Sequence, residues 1–241
     1  MQNYAKTDVG RVRVTNQDAY RTEILPGGAV LAVVCDGMGG ANAGNVASDR
    51  AVDLILEYCK SSYRSEMDAD SAARMLSSAM RSANIALYDM AVKDASLSGM
   101  GTTVVAALIK GKRCAVAHVG DSRAYLVNEN ITQLTRDHSV VQSLIESGKL
   151  TPEEARFHPR KNVITRALGT EEEVQPDCSV FSVDTGDTLL LCTDGLTNFV
   201  DTGEILDIFH NNDISRAADV LVARANHNGG GDNITAVTVT L

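Results

Sequence analysis

Several apolar runs in this sequence end on an aspartate. Val33-Val34-Cys35 leads into Asp36-Gly37, and Leu191-Cys192-Thr193 leads into Asp194-Gly195 in nearly the same arrangement. Val119-Gly120 precedes Asp121, Gly230-Gly231 precedes Asp232, and Asp18 follows Asn16-Gln17. A single aspartate beside glycine at a strand end commonly caps a turn or a helix. Repetition at the tips of several core strands says more, because strands lying side by side bring their ends to one rim. Carboxylates gathered there raise one another's pKa and take up protons unless a cation offsets the repulsion. Oxygen-only ligands favour hard divalent ions such as Mg²⁺, Mn²⁺ or Ca²⁺. Gly37, with no Cβ, lets its own carbonyl approach such an ion closely. A carboxylate bridging two ions roughly 3.5–4 Å apart is a common apparatus for attacking phosphorus with metal-bound water.

Rival chemistries fit less well. Gly37-x-Gly39 follows a strand and precedes a helix, as dinucleotide sites do, but Asn42 stands where the third glycine belongs. Asp36 would also repel a pyrophosphate. The chain has no P-loop, EF-hand loop, H-E-x-x-H or G-x-S-x-G elbow.

The elements that must position these aspartates can be read from periodicity. The run 29–35 is almost wholly apolar and predicts a buried strand. A helix is expected from about Asn42, with Ala43, Val46, Ala47, Ala51, Leu54 and Tyr58 on one face, and a second over 70–94 with Ala72, Leu76, Ala79, Ala83, Leu87 and Met90 as its stripe. Both stripes read as core packing. Strands are predicted over 102–109, 113–119 and 123–127, then 179–183 and 188–192. Helices near 202–210 and 214–226 and a Val/Thr-alternating strand over 234–241 close the chain. The segment 139–168 stands apart, carrying Gly148, Pro152, Pro159 and the basic residues Arg156, Arg160, Lys161 and Arg166. It reads as an inserted excursion. Strands and helices come in blocks, which predicts antiparallel sheets covered by helix pairs, not a doubly wound parallel sheet.

Composition narrows the class. The 241 residues fit one domain, 1–241, and 44% are hydrophobic, enough for a packed core. A net charge of −9 argues against nucleic-acid binding, which relies on clustered Lys and Arg. The five cysteines lack C-x-x-C spacing, so neither a disulfide framework nor a zinc ribbon is expected, and a reducing compartment is. No stretch reads as a signal peptide or a bilayer span. The expectation is a soluble, cytoplasmic protein without membrane insertion.

The ordered motifs carry a resemblance that spans nearly the whole chain. Gly10-x-x-Arg13-x-x-Asn16-Gln17-Asp18 is followed by Asp36-Gly37-Met38-Gly39-Gly40 and Gly99-x-Gly101-Thr102-Thr103. Then come Gly120-Asp121-Ser122-Arg123-Ala124-Tyr125, Asp194-Gly195-Leu196 and Gly230-Gly231-Asp232-Asn233-Ile234-Thr235. Here the chain resembles the metal-dependent protein phosphatases of type 2C, most closely their compact bacterial members. The resemblance implies an α+β fold, a four-layer α/β/β/α sandwich of two antiparallel sheets flanked by helix pairs, with 139–168 as a flap beside the site. It implies hydrolysis of phosphoserine and phosphothreonine by direct attack of a hydroxide bridging two Mn²⁺ or Mg²⁺ ions. Asp36 would bridge, Asp194 and Asp232 would complete one site, and the Gly37 carbonyl with Asp18 close by would complete the other. Asp121 with Asp194 would hold a third, weaker ion. Arg13 matches the family's phosphate-binding arginine, whose planar fork suits phosphate oxygens. The partners implied are phosphorylated proteins, including a Ser/Thr protein kinase, and a monomer is expected.

Two departures bear on chemistry. Gln17 stands where animal members carry glutamate, so ligation by residue 17 is not expected. Animal members also place a histidine after the Asp-Gly pair as a general acid. Here Met38 and, beyond it, Ala41 cannot donate a proton, and His158 in the flap reads as structural. A non-catalytic module on the same fold is the main competing reading; the intact aspartate set argues against it.

Overall fold

A computed structural model describes residues 1–40 and 43–241. Eleven strands run in chain order as β1 (Gln2–Asp8), β2 (Asp18–Leu25), β3 (Ala29–Met38), β4 (Gly101–Thr102), β5 (Val104–Lys110), β6 (Arg113–Val119), β7 (Arg123–Val127), β8 (Ile131–Gln133), β9 (Asp177–Ser182), β10 (Thr188–Cys192) and β11 (Ile234–Thr240). The α-helices are α1 (Ala43–Ser62), α2 (Ala69–Lys93), α3 (Val140–Glu146), α4 (Pro152–Ala155), α5 (Asp194–Thr197), α6 (Thr202–Asn211) and α7 (Ile214–His227). The expected start of the first helix, at Asn42, lies outside the described residues, as does Ala41.

Two antiparallel sheets form the centre. One has the order β1-β11-β10-β7-β8 and the other β2-β3-β5-β6-β9, with β4 pairing the end of β3. Side-chain alternation with period two sorts each strand into two layers. Val30, Ala32 and Val34 of β3 face Leu189, Leu191, Val237 and Val239 across the sheets. Leu31, Val33 and Cys35 point the other way, onto Ala47, Ala51 and Ile55 of α1 and Leu76, Met80 and Leu87 of α2. In the second sheet Leu190 and Cys192 meet Ile205 and Ile208 of α6 and Leu221 and Val222 of α7. Strands buried on both faces need no polar alternation, which is why β3 and β10 read as unbroken apolar runs. The four expected layers, α/β/β/α, follow from these three clusters. Leu190 is fully buried between β10 and the outer helices, so Leu190→Ala is expected to cost about 2–5 kcal/mol in urea unfolding.

The departures from expectation are local. Strand β2 was not anticipated, because it lies at a sheet edge and alternates Arg21 and Glu23 with residues that stay half-buried. β9 runs over Asp177–Ser182, starting earlier than the expected 179–183. The two-residue β4, the three-residue β8 and the one-turn α5 are too short for periodicity to signal. The excursion 139–168 holds α3 and α4, and its two legs meet at Ser139 and Ile164.

Candidate metal centre

The sheet register brings the aspartates to one rim. Asp18 opens β2 directly opposite Asp36 near the end of β3. Cys192, at the end of β10, pairs with Arg123 of β7 on one side and Ala236 of β11 on the other. Asp194, just past β10, Asp121, before β7, and Asp232, before β11, therefore leave the second sheet at the same end.

Hydrogen bonds hold parts of the cluster in place, several of them from distant segments of the chain. Thr193 and Thr235 both donate their hydroxyls to Asp18 Oδ2, at 2.9 and 2.7 Å. Asn198 Nδ2 donates to Asp194 Oδ2 at 2.9 Å. The backbone of Asp36 is clamped by the threonine pair: its N–H donates to Thr103 Oγ1 (3.1 Å), and its carbonyl accepts from Thr102 Oγ1 and the Thr103 N–H (both 2.9 Å). Thr103 Oγ1 also bonds Ser122 Oγ at 2.7 Å, tying Asp36 to the turn that carries Asp121. Asn233 fixes the loop bearing Arg13: it accepts the Gln17 N–H at 2.8 Å and donates to the carbonyls of Val9 and Thr15 at 2.9 and 3.0 Å.

Glycine is required at two points of close approach. A Cβ on Gly37 would lie 2.0 Å from the Gly44 carbonyl oxygen, and one on Gly195 would lie 1.8 Å from that of Asn233. Packing of the β3 end against α1 therefore requires glycine at position 37.

The electrostatics are those of a crowded anionic cluster, offset only in part by Arg13 and Arg123. Burial is the main cause pushing the Asp18 carboxyl up to about 7, with Asp194 and Asp232 adding to the rise against the two threonine hydroxyls. Asp36 is raised well above the carboxylate range by burial and then by Asp18, Asp194, Asp121 and Asp232. Asp121 is raised by burial, Asp194 and Asp137, and Asp194 by burial and Asp232. Asp194 is among the charges that raise Asp36, a repulsion that a shared proton or cation relieves. Asp18 Oδ1 and Asp194 Oδ1 are buried with no hydrogen-bond partner. Acceptor-only oxygens left unpaired beside other carboxylates suit a hard cation. The register and the mutual effects on pKa put Asp18, Asp36, Asp121, Asp194 and Asp232 at one rim, and an all-oxygen donor set of this kind suits Mn²⁺ or Mg²⁺.

The remaining candidates stand around this cluster. Arg13, 54% exposed, forks onto Asp232, with Nε 2.9 Å from Oδ1 and Nη2 3.0 Å from Oδ2. It stands at the lip of the cluster, and in this arrangement it holds one of the candidate ligands. The Gln17 amide packs on Gly44. His158 accepts the Arg160 N–H inside the flap. Of the flap's basic residues, Arg166 anchors the flap base to Asp177 at 2.8 Å, while Arg156, Arg160 and Lys161 are exposed. Among the described residues, the group of three side chains that closes its ligand atoms to within 4.8 Å is His118, His138 and Asp177, outside the aspartate rim. Sequence reasoning missed these three, because they come from three separate segments with no common spacing. It also missed the supporting roles of Thr193, Thr235, Asn198 and Asn233.

The model of the family described as protein phosphatase 2C matches residues 11–229. The chain is similar to the serine/threonine phosphatase stp of Listeria welshimeri, 41% identical over 236 residues covering 97% of this chain and 93% of that protein. Among solved structures it is similar to the serine/threonine phosphatase Stp1 from Staphylococcus aureus, with a TM-score of 0.94 and 37% identity, covering 100% of this chain and 94% of that one. It is also similar to the catalytic domain of the serine/threonine protein phosphatase PstP in complex with 2 manganese ions, with a TM-score of 0.86 and 34% identity over 98% of this chain and 96% of that one.

Proposed function

The chain belongs to the protein phosphatase 2C family, and from that membership we propose that it hydrolyses phosphoserine and phosphothreonine in proteins at the aspartate rim. As a member it is a metal-dependent serine/threonine phosphatase, and the assignment of residues is our reading. Asp36, Asp194 and Asp232, with the Gly37 carbonyl and Asp18 beside it, would hold two Mn²⁺ or Mg²⁺ ions. Asp121 and Asp194 would hold a third, weaker ion. The observation that carries this reading is the pair of buried, unpartnered oxygens, Asp18 Oδ1 and Asp194 Oδ1, inside a cluster whose members raise one another's pKa. When bound, the ions supply an acidified water as nucleophile and offset charge on the phosphoryl oxygens.

The chain's own residues do the rest. Thr193, Thr235 and Asn198 fix the carboxylates, so little reorganisation is needed when charge develops. Arg13 is placed to exchange Asp232 for two phosphate oxygens, since the same fork serves both. Met38, which follows the Asp36-Gly37 pair, has no proton to donate. The proposed substrates are phosphoproteins, with a Ser/Thr protein kinase as the opposing enzyme. We propose that the chain acts as one catalytic unit over 1–241, a cytoplasmic monomer, with 139–168 as its flap; no described helix is long and apolar enough to cross a membrane.

The test is hydrolysis of a phosphothreonine peptide in Mn²⁺ and in EDTA. Activity is expected in Mn²⁺ and background in chelator; equal rates in both would overturn the reading. In the same assay Arg13→Ala is expected to lower kcat/KM by about 10–100-fold, mostly through KM, the value of a charge-assisted hydrogen-bond pair.

A further inference from the structure

His118, His138 and Asp177 have the residue types of a metal site, but the two imidazoles do not aim at a common point. Their centroids are 4.7 Å apart and their planes 13° from parallel. The lone pairs of stacked rings run in separate parallel planes, whereas an ion shared by two imidazoles must lie in both. The nitrogens are also engaged elsewhere. His118 Nε2 donates to the Arg136 carbonyl at 2.8 Å. His138 Nδ1 accepts the Gly120 N–H at 3.1 Å, which leaves Nε2 as the protonated nitrogen of a neutral ring. That Nε2 faces Asp177 Oδ2 at 3.3 Å, while Arg166 Nη1, 3.1 Å from it, donates to Asp177 Oδ1 at 2.8 Å. Burial lowers the pKa of both histidines, in keeping with neutral rings.

Backbone bonds complete the junction. The His138 N–H donates to the Gly120 carbonyl at 2.9 Å, and the His138 carbonyl accepts the Thr165 N–H at 2.8 Å. This buried residue thus joins the turn after β6, both legs of the flap and, through Asp177, the start of β9. Gly120, at φ +101°, is pressed on its other side against Thr103, where a Cβ would meet the side chain at 2.6 Å. The turn is held between Thr103 and His138, and its next residue is Asp121.

We propose that His138 is a positioning residue that, through its hydrogen bonds to Gly120, sets Asp121 for the third ion. The inference rests on the reading of Asp121 as a ligand of that ion. It assigns His138 no contact with substrate or metal, only the hydrogen bonds that orient the residue before Asp121.

The test compares Mn²⁺ binding by calorimetry, and the Mn²⁺ dependence of phosphopeptide hydrolysis, in wild type, Asp121→Asn, His138→Phe, His138→Asn and the double variant Asp121→Asn/His138→Phe. Phenylalanine keeps a stacked ring but offers Gly120 no acceptor; asparagine returns an acceptor oxygen near the place of Nδ1. His138→Phe is expected to weaken the low-affinity class of Mn²⁺ by about 10-fold, the scale of outer-shell substitutions, and to change the tight class by less than about twofold. His138→Asn recovers most of that loss. In the double variant His138→Phe adds nothing to Asp121→Asn, whereas a merely structural effect would add in full. If Asp121→Asn leaves the weak class unchanged, the reading of Asp121 falls and the inference with it. If Asp121→Asn alters that class but His138→Phe does not, or the two effects add, the inference falls while the reading stands. Should His138→Phe not fold, Asp177→Ala at a half-exposed position removes the Nε2 partner and is read by the same criteria, with a smaller loss of about threefold expected.

Discussion

Asp36→Ala is expected to abolish metal-dependent hydrolysis, lowering kcat by about a thousandfold or more, while leaving the protein at least as stable as wild type in chelator. The activity loss follows from position. Asp18, Asp194, Asp121 and Asp232 all act on the Asp36 carboxylate, and on the proposed assignment its removal takes the ligand common to both core sites. Several kcal/mol of charge stabilisation are lost with the ions, and about 4 kcal/mol is a thousandfold. The stability effect has the opposite sign for the same reason. A buried carboxylate among others resists ionisation, and alanine removes that cost along with the function. Melting curves in EDTA and in Mn²⁺ would show it: wild type gains Tm on adding Mn²⁺ and Asp36→Ala does not. A variant that melted far below wild type in EDTA would mark Asp36 as a structural residue.

Gly195→Ala is expected to be nearly as damaging, by a different route. The added Cβ would sit 1.8 Å from the Asn233 carbonyl oxygen and 3.5 Å from Asp232 Cβ. Both contacts lie on the strand end that carries Asp232, so the turn holding Asp194 and the turn holding Asp232 must part. Overpacking of this kind costs roughly 1–3 kcal/mol, and separating two ligands of one ion should weaken Mn²⁺ binding by more than about 10-fold. The signature is a Tm drop in chelator together with a reduced Mn²⁺-induced rise, which distinguishes it from Asp36→Ala. Wild-type Mn²⁺ affinity in Gly195→Ala would contradict the close packing of these two turns.

Much of the site was legible because its residues terminate elements that announce themselves. β3 and β10 are buried on both faces, so each appears as an apolar run, and Asp36 and Asp194 mark where each run stops. The helical stripes of α1 and α2 were readable because one face alone meets the sheet. What could not be read depends on pairings across the whole chain. Asn233 binds Gln17, and Thr235 binds Asp18, across more than 200 residues, and no local pattern marks an asparagine or threonine for that duty. Arg166 looked like one of several flap cations, yet its partner Asp177 lies beyond the flap, and the salt bridge makes it an anchor. Arg13 was expected to await phosphate; its pairing with Asp232 follows from two opposite charges meeting on one rim. β2 escaped notice because an edge strand has one neighbour and tolerates charge.

The central claim is that the aspartate rim exists to hold hard cations. Anomalous scattering from crystals grown with Mn²⁺ tests it most directly. The expected result is a pair of peaks sharing Asp36, with Asp194 and Asp232 on one and the Gly37 carbonyl on the other, both absent from crystals of Asp36→Ala. Manganese found only away from these residues, or two peaks that persist at full height in Asp36→Ala, would contradict it.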